Sequence, residues 1–411
     1  MREKFIIKGL GGNKTLRGEI AVRGAKNGVL KALAATVLFD DEVPMTNVPD
    51  IEDVKRMREL LEALKTTPTV LKKDIAEKFR ASIVLTGPVL AREGYVEFPF
   101  PGGCVLGERS IDLFLNGFRA MGASVEEEKS YFKIRAEGGI LRGAHITFPL
   151  VSVTATETLM MAAVLAAGTT VLENAAMEPE IADLALYLNE CGAQIQGAGT
   201  PTITIVGGGL LHAGGISYDT PPDRIETGSF AILAALAGKD VTITNCKPAW
   251  VEVPLALLRQ AGVDIEVGKD FIRIRPGDMP YKMISVRTHE YPGFATDLQA
   301  PTAVFMSQCV GEGNILETIF DGRFRYVDDL VLMGADIVVM NPHRVLVRGP
   351  KKLSRKNLES PDLRGGLAYI LAATVAEGTS TIDNAYLIDR GYEHIEERLA
   401  ALGLDIKREQ V

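Results

Sequence analysis

The sequence predicts an α/β protein of two domains, each assembled from about three copies of one helix-and-strand module. Three observations carry this expectation. At 411 residues the chain is too long for one ordinary core, and length alone suggests two or three domains. A short phrase recurs as Gly122-Ala123-Ser124-Val125, Gly192-Ala193-Gln194-Ile195, Gly262-Val263-Asp264-Ile265, Gly334-Ala335-Asp336-Ile337 and Gly403-Leu404-Asp405-Ile406, with intervals of 70, 70, 72 and 69 residues between the glycines. Before each of the last four, an Ala-rich helical pattern ends in Gly168-Thr169, Gly238-Lys239, Gly313-Asn314 or Gly378-Thr379, 21 to 25 residues upstream. Self-similarity at a fixed period marks one supersecondary unit used repeatedly.

Each unit reads as helix, strand, helix, strand. Apolar residues at helical spacing, such as Ile181, Leu184, Leu188 and Cys191, followed by a glycine suited to a left-handed C-cap, predict the helices. Short β-branched runs such as 202–206 and 241–244 predict the strands. At the N-terminus a partial copy over 32–64 carries an Ala-rich helix from Val29 to Leu38, a strand at 43–47 and a helix at 54–64. Residues 65–78 then lack the closing hairpin. Counting this copy gives about six units, three per domain. Gly24 and the Pro221-Pro222 pair are the candidate crossings between domains.

Hydrophobic residues make up 46% and charged residues 24%, as in an ordinary globular chain. A net charge of −8 disfavours nucleic acid and anionic membranes as partners, so any anionic ligand must meet a local cluster of Lys and Arg. Met1-Arg2-Glu3-Lys4 runs directly into a strand-like stretch, and the longest apolar run, 159–167, is far short of a membrane span. These features predict a soluble, unexported, cytoplasmic protein. Cys104, Cys191, Cys246 and Cys309 are dispersed without a CxxC pair, and the five histidines form no metal-binding pattern. Neither a disulfide framework, a metal, nor another cofactor is expected, and no obligate protein partner is implied.

Four groups of residues can carry chemistry. Pro101-Gly102-Gly103-Cys104-Val105-Leu106-Gly107-Glu108-Arg109 is glycine-rich and reads as a mobile loop. Its thiol lies five residues from Arg109 and near a helix start at Ser110, both of which favour a thiolate, whereas the other cysteines fall in helical or strand patterns and read as core. Arg23-Gly24-Ala25-Lys26-Asn27-Gly28 precedes a helix and suits either an anion site or a plain capping turn with Asn27 as N-cap. Asp223, Asp297 and Asp362 stand at equivalent helix starts. Asp223 reads equally as a cap, while Asp297 and Asp362 are candidates to line one cleft. Arg323, Arg364 and Arg390 occupy corresponding loops and form a candidate anion clamp.

Eight segments, RGAKN at Arg23, RASI at Arg80, PGGCVLGER around Cys104, PDRIETG, TDLQA, DGRF, DLR and IDRGYE, follow in order the pattern of the UDP-N-acetylglucosamine 1-carboxyvinyltransferases, and the resemblance spans the chain. It implies a two-domain inside-out α/β barrel, the enolpyruvyl transferase fold, with three βαβαββ-type repeats per domain. One domain would hold residues 1–24 and 222–411, and an inserted domain 25–221 would carry the cysteine loop. It also implies phosphoenolpyruvate and UDP-N-acetylglucosamine as substrates. By that resemblance Lys26 and Asn27 contact phosphoenolpyruvate and sugar, and Cys104 is the proton donor and the target of fosfomycin alkylation. Arg80, Arg109, Ser110, Ile111, Asp112, Leu113, Val151, Ser152 and Val153 hold the nucleotide sugar. Asp297 is the base for the sugar 3-hydroxyl, Ile319 a backbone contact, and Arg323, Arg364 and Arg390 the anion contacts.

The sequence departs from the family pattern at Ser110, usually proline, at Leu150, often basic, and at Thr154, frequently glycine. Each change can weaken nucleotide affinity without touching the reaction centre. Two other readings remain open: the shikimate-pathway enolpyruvyl transferase, disfavoured by Asn27 and by the cysteine loop, and a nucleotide-sugar sensor without catalysis, disfavoured by Lys26, Cys104, Asp297 and Arg390.

Overall fold

The computed structural model describes residues 3–100, 111–275, 277 and 280–410. They divide into two compact units, one holding 3–23 and 222–410 and the other 24–100 and 111–221.

The first unit contains three four-stranded sheets with one pairing pattern. In each, an edge strand lies parallel to its neighbour and two antiparallel pairings follow. The members are Val286–Arg287, Gly311–Leu316, Arg344–Gly349 and Asp336–Asn341 in one sheet. In the other two, the N-terminus supplies the missing strand: Leu16–Ala21 is the parallel edge beside Gly238–Thr244, and Glu3–Lys8 pairs with both Thr379–Asp383 and Asp405–Gln410. The N-terminal strands therefore complete two modules whose other strands come from 238–275 and 357–410.

Three helices, Arg224–Ala237, Gln299–Ser307 and Leu363–Val375, contact one another pairwise and are buried along almost every residue. Their sequences explain this placement, because they are Ala-rich and apolar on all sides, and such a helix has no face suited to water. Close approach requires small residues: a Cβ on Gly228 would lie 2.6 Å from the Leu298 side chain.

The second unit holds one sheet of the same pattern, ordered His145–Thr147, Thr169–Glu173, Thr202–Val206 and Gln194–Gln196. A second sheet has three antiparallel strands, Tyr95–Pro99, Tyr131–Ala136 and Ala123–Glu127, with an isolated parallel bridge from Val70 to Glu97 at its edge. The third is only Met45–Thr46 beside Tyr218–Asp219. That reduction is the structural form of the missing hairpin after Leu64.

The recurring glycine has a clear cause. Gly122, Gly192, Gly262, Gly334 and Gly403 all have φ between 84° and 111°, the left-handed conformation that follows a helix and that residues with a Cβ avoid.

Local boundaries need four corrections. The first helix of the second unit is Lys26–Ala35, followed by a 3-10 turn at Thr36–Leu38, rather than 29–38. Its N-cap is Ala25, in extended conformation and without a side-chain cap, so Asn27 lies inside the first turn. The strand expected at 43–47 is reduced to Met45–Thr46, and the next helix begins at Glu52.

Candidate active site

The helix starts of the first unit separate three aspartates that look alike in sequence. Asp223 caps Arg224–Ala237, its Oδ1 accepting from the amides of Ile225 and Glu226 at 2.7 and 3.0 Å. Asp362 caps Leu363–Val375 in the same way, accepting from Arg364 and Gly365 at 2.8 and 3.0 Å. Asp362 is therefore a helix cap, as Asp223 is. Asp297 lies in the 3-10 turn Thr296–Leu298, which leads into the helix Gln299–Ser307 without a side-chain cap.

Its carboxylate meets arginines instead. Arg323 Nη2 donates to Asp297 Oδ1 at 2.5 Å, and Arg364 Nη2 donates to Oδ2 at 3.0 Å. Both arginine side chains are buried, while that of Asp297 keeps 23% of its surface exposed. The remaining contacts of Arg364 aim it: Nη1 donates to the Tyr392 hydroxyl at 2.8 Å, and that hydroxyl lies 3.2 Å from Ser229 Oγ. The Arg323 guanidinium stacks 5.3 Å from the Phe320 ring centroid. Burial alone would raise the Asp297 pKa, but the charges of Arg364 and Arg323, with Arg224 beyond, hold the carboxyl well below the usual carboxylate range. Burial likewise opposes the charge on Arg364, and Tyr392 and Asp297 outweigh it.

The sequence predicts Arg323 and Arg364 as anion clamps, and here they hold an internal anion. Arg390 is half-buried in the turn after Ala385–Leu387, two residues before Tyr392. Ile319 donates its amide to Glu317 Oε1 at 2.8 Å.

In the second unit, Lys26 Nζ is 2.6 Å from Asp53 Oδ2, with both side chains largely buried. Asn27 is half-buried in the following position of the same turn. Arg80 opens the 3-10 turn Arg80–Leu85. Ile111 is the N-cap residue of Asp112–Ala120, with Asp112 and Leu113 in its first turn. Ser152 caps Val153–Ala163, accepting from the Ala155 amide at 3.2 Å, with Val151 and Val153 half-buried beside it. Leu150 is 71% exposed, so its apolar side chain leaves the packing of the unit untouched. Cys104, Arg109 and Ser110 lie outside the described residues.

Cys191, Cys246 and Cys309 are buried, and burial pushes the thiols of Cys246 and Cys309 up to about 12. Asp40, Asp41 and His212 bring three ligand-type atoms within 4.8 Å of one another. The Asp41 carboxylate, however, accepts from the amides of Ala213 and Gly214 at 2.8 Å each, which makes it a tie between two loops. No helix of the described residues is long and apolar enough to cross a membrane.

Sequence reasoning missed Asp53, Glu317, Ser229 and Tyr392. Tyr392 falls within the IDRGYE segment and was within reach. Asp53 is an acid in a first helical turn, where the helix dipole already favours one, and so carried no separate signal.

The fold is similar to that of solved enolpyruvyl transferases. The enolpyruvyl transferase NikO from Streptomyces tendae aligns over 100% of this chain and 99% of its own, with a TM-score of 0.87 at 22% identity. An EPSP synthase from Acinetobacter baumannii aligns over 99% and 100%, with a TM-score of 0.72 at 19% identity. A family model described as EPSP synthase (3-phosphoshikimate 1-carboxyvinyltransferase) matches residues 10–399. Fold and family thus define the class, an enolpyruvyl transferase. UDP-N-acetylglucosamine 1-carboxyvinyltransferase from Magnetococcus marinus is 45% identical over 99% of both chains. The proteins of that name from Acidobacterium capsulatum and Aeromonas hydrophila are 44% and 43% identical over 99% of this chain and 96% and 99% of theirs. The chain belongs to the UDP-N-acetylglucosamine 1-carboxyvinyltransferase family.

Proposed function

We propose that this enzyme transfers the enolpyruvyl group of phosphoenolpyruvate to the 3-hydroxyl of UDP-N-acetylglucosamine, releasing phosphate, in the first committed step of peptidoglycan synthesis. Full-length similarity to relatives of that name supports the substrates. The observation that carries the chemistry is the Asp297 carboxylate, partly open to solvent between two buried arginines.

The reaction is an addition followed by an elimination. Cys104 delivers a proton to C3 of phosphoenolpyruvate, C2 becomes electrophilic, and the sugar oxygen bonds to it as Asp297 takes the hydroxyl proton. C3 then gives a proton back to the Cys104 thiolate, the C2–O bond to phosphate breaks with phosphate released, and the double bond returns. Asp297 clasped by two guanidinium groups is a weak base. When the carboxylate or phosphate of the substrate takes a share of Arg323, Arg364 and Arg390, less positive charge bears on Asp297, and its basicity rises as the hydroxyl arrives. Lys26 and Asn27 serve the same substrates, with Asp53 fixing the ammonium. Arg80, Arg109, Ser110, Ile111, Asp112, Leu113, Val151, Ser152 and Val153 bind the nucleotide sugar.

The finer architecture follows the same reading: an inside-out α/β barrel in each of two domains, 1–24 with 222–411 and 25–221, built from βαβαββ-type modules. The substrates are small molecules, and the enzyme works in the cytoplasm. A phosphate-release assay with phosphoenolpyruvate and either UDP-N-acetylglucosamine or shikimate 3-phosphate tests the proposal. Release with the nucleotide sugar alone is expected. Release with shikimate 3-phosphate would move the enzyme to the other branch, and release with neither would favour a sensor.

A further inference from the structure

We infer that Glu317 is a positioning residue for the enolpyruvyl transfer, a buried carboxylate that holds the turn carrying Asp297 and the loop carrying Arg323 in one arrangement. The inference rests on the reading of Asp297 as the base.

Glu317 follows the strand Gly311–Leu316 and has no exposed surface. Its Oε1 accepts from Thr288 Oγ1 at 3.0 Å and from the amides of Ile319 and Phe320 at 2.8 and 3.1 Å. Its Oε2 accepts from Thr296 Oγ1 at 2.7 Å and Gln299 Nε2 at 3.4 Å. These donors come from three places. Thr296 and Gln299 bracket Asp297 where the turn runs into the helix Gln299–Ser307. Ile319 and Phe320 begin the loop in which Phe320 underlies Arg323. Thr288 closes the set from the segment after the parallel edge strand, and its own Oγ1 also accepts from the Thr318 amide at 2.8 Å. Gln299 extends the network by accepting from the Tyr326 hydroxyl, three residues beyond Arg323.

All five donors are neutral, so the carboxylate neutralises no charge among them. Its distinctive property is that both oxygens accept, which suits a convergence of donors from several chain segments. An amide cannot replace it, because either orientation would point an NH2 group at two or three existing donors. Asp297 and Arg323 meet at 2.5 Å only if the turn and the loop keep their spacing, and small displacements of a positioned group are costly in catalysis.

Glu317→Gln should lower kcat by about ten- to a hundred-fold while leaving KM for the nucleotide sugar within about two-fold. A merely structural residue would lower the yield of folded enzyme and its Tm without moving the pH profile. A positioning residue should also move the acid limb of kcat upward, since that profile reports Asp297 in the substrate complex and loosening Arg323 relieves part of what Arg364, Arg323 and Arg224 do to it. The ionisations of the substrate are common to both enzymes, so the difference between the two profiles isolates the protein. Glu317→Asp keeps two accepting oxygens and should recover part of the lost kcat. If Glu317→Gln does not fold, Thr296→Val decides: it removes one donor, and kcat should fall by about three- to ten-fold with the same shift of the limb. Unchanged kcat and an unmoved limb in the folded variant would overturn the inference. Asp297→Asn run alongside separates the two ideas, since full activity there would overturn the base assignment instead.

Discussion

Arg364 donates to Asp297 at 3.0 Å and, through its other terminal nitrogen, to the Tyr392 hydroxyl at 2.8 Å, so one buried guanidinium ties the proposed base to the segment before the helix Ile395–Ala401. The pair explains why the carboxylate survives burial in its ionised form. In the proposed mechanism, a carboxylate this well neutralised accepts a proton once substrate anions share the arginines. Asp297→Asn should therefore leave binding of both substrates nearly intact while lowering kcat by about 10² or more. Isothermal titration beside steady-state kinetics checks this. A large loss of nucleotide-sugar binding with unchanged turnover would reassign Asp297 to binding.

Tyr392→Phe tests the support beneath Arg364. The variant keeps the ring, whose centroid lies 5.4 Å from the guanidinium carbon, and removes only the hydroxyl. A hydrogen bond to a charged group contributes about 1.5 to 3 kcal/mol, which corresponds to at least about ten-fold in kcat/KM for phosphoenolpyruvate. KM for the nucleotide sugar should stay level. Equal losses for both substrates would mean a general loosening of the unit.

Much of the architecture was open to inspection in the sequence, and the reasons are specific. The glycine of the recurring phrase is needed for a left-handed helix end, so the repeat was visible wherever that end occurs. Arg323 and Arg364 stood out as arginines expected at corresponding loops, although Arg364 lies in the first turn of the helix Leu363–Val375 rather than in a loop like that of Arg323. Their partner did not, since a candidate clamp read from loops alone does not reveal that its first anion is Asp297 of the same unit. The start of the Lys26 helix was misread because Ala25 caps it with backbone geometry alone, leaving Asn27 as the nearest residue of a capping type. Glu317 was invisible for a different reason. Its donors come from three separated segments, and no spacing rule joins residues 288, 296, 299, 319 and 320.

Glu157 offers a test of the second unit that is independent of catalysis. Its Oε2 lies 3.2 Å from Lys31 Nζ, linking the helices Val153–Ala163 and Lys26–Ala35. Burial pushes Glu157 up to about 7, with the Lys31 charge opposing the shift and Glu180 and Glu178 adding to it. A carboxyl raised in the folded state binds its proton more tightly there than in the unfolded chain. Its contribution to stability is full below the ordinary value of about 4.3 and is lost as pH rises toward 7. The urea midpoint should fall between pH 5 and 7.5 by the equivalent of about 2 to 3 kcal/mol, and Glu157→Gln should flatten that slope. Parallel curves for the two proteins would show that Glu157 does not titrate in this window.

Cys104 should be the one cysteine of four that fosfomycin alkylates. The reagent is a phosphonate that mimics phosphoenolpyruvate, so selectivity has two requirements: cations to hold the anion, and a thiolate beside it to open the epoxide. Sequence places Cys104 among glycines and five residues before Arg109, a setting that favours the thiolate. The other three cysteines are buried, and burial raises each of their thiols, Cys246 and Cys309 to about 12, which leaves almost no thiolate at neutral pH. In alkylation the thiolate sulfur bonds to one epoxide carbon, that carbon's bond to oxygen breaks, and the oxygen stays on the neighbouring carbon as an alkoxide that takes a proton from water. Cys104→Ser should abolish labelling and most activity. Cys104→Asp should stay active yet resist the reagent, because a carboxylic acid can still deliver a proton to C3 but does not open the epoxide at a comparable rate. Intact-mass measurement with peptide mapping, in the presence of UDP-N-acetylglucosamine, reads all three proteins. An adduct on Cys191, Cys246 or Cys309, or none on Cys104, would remove the cysteine segment from the reaction and leave protonation of C3 to another acid.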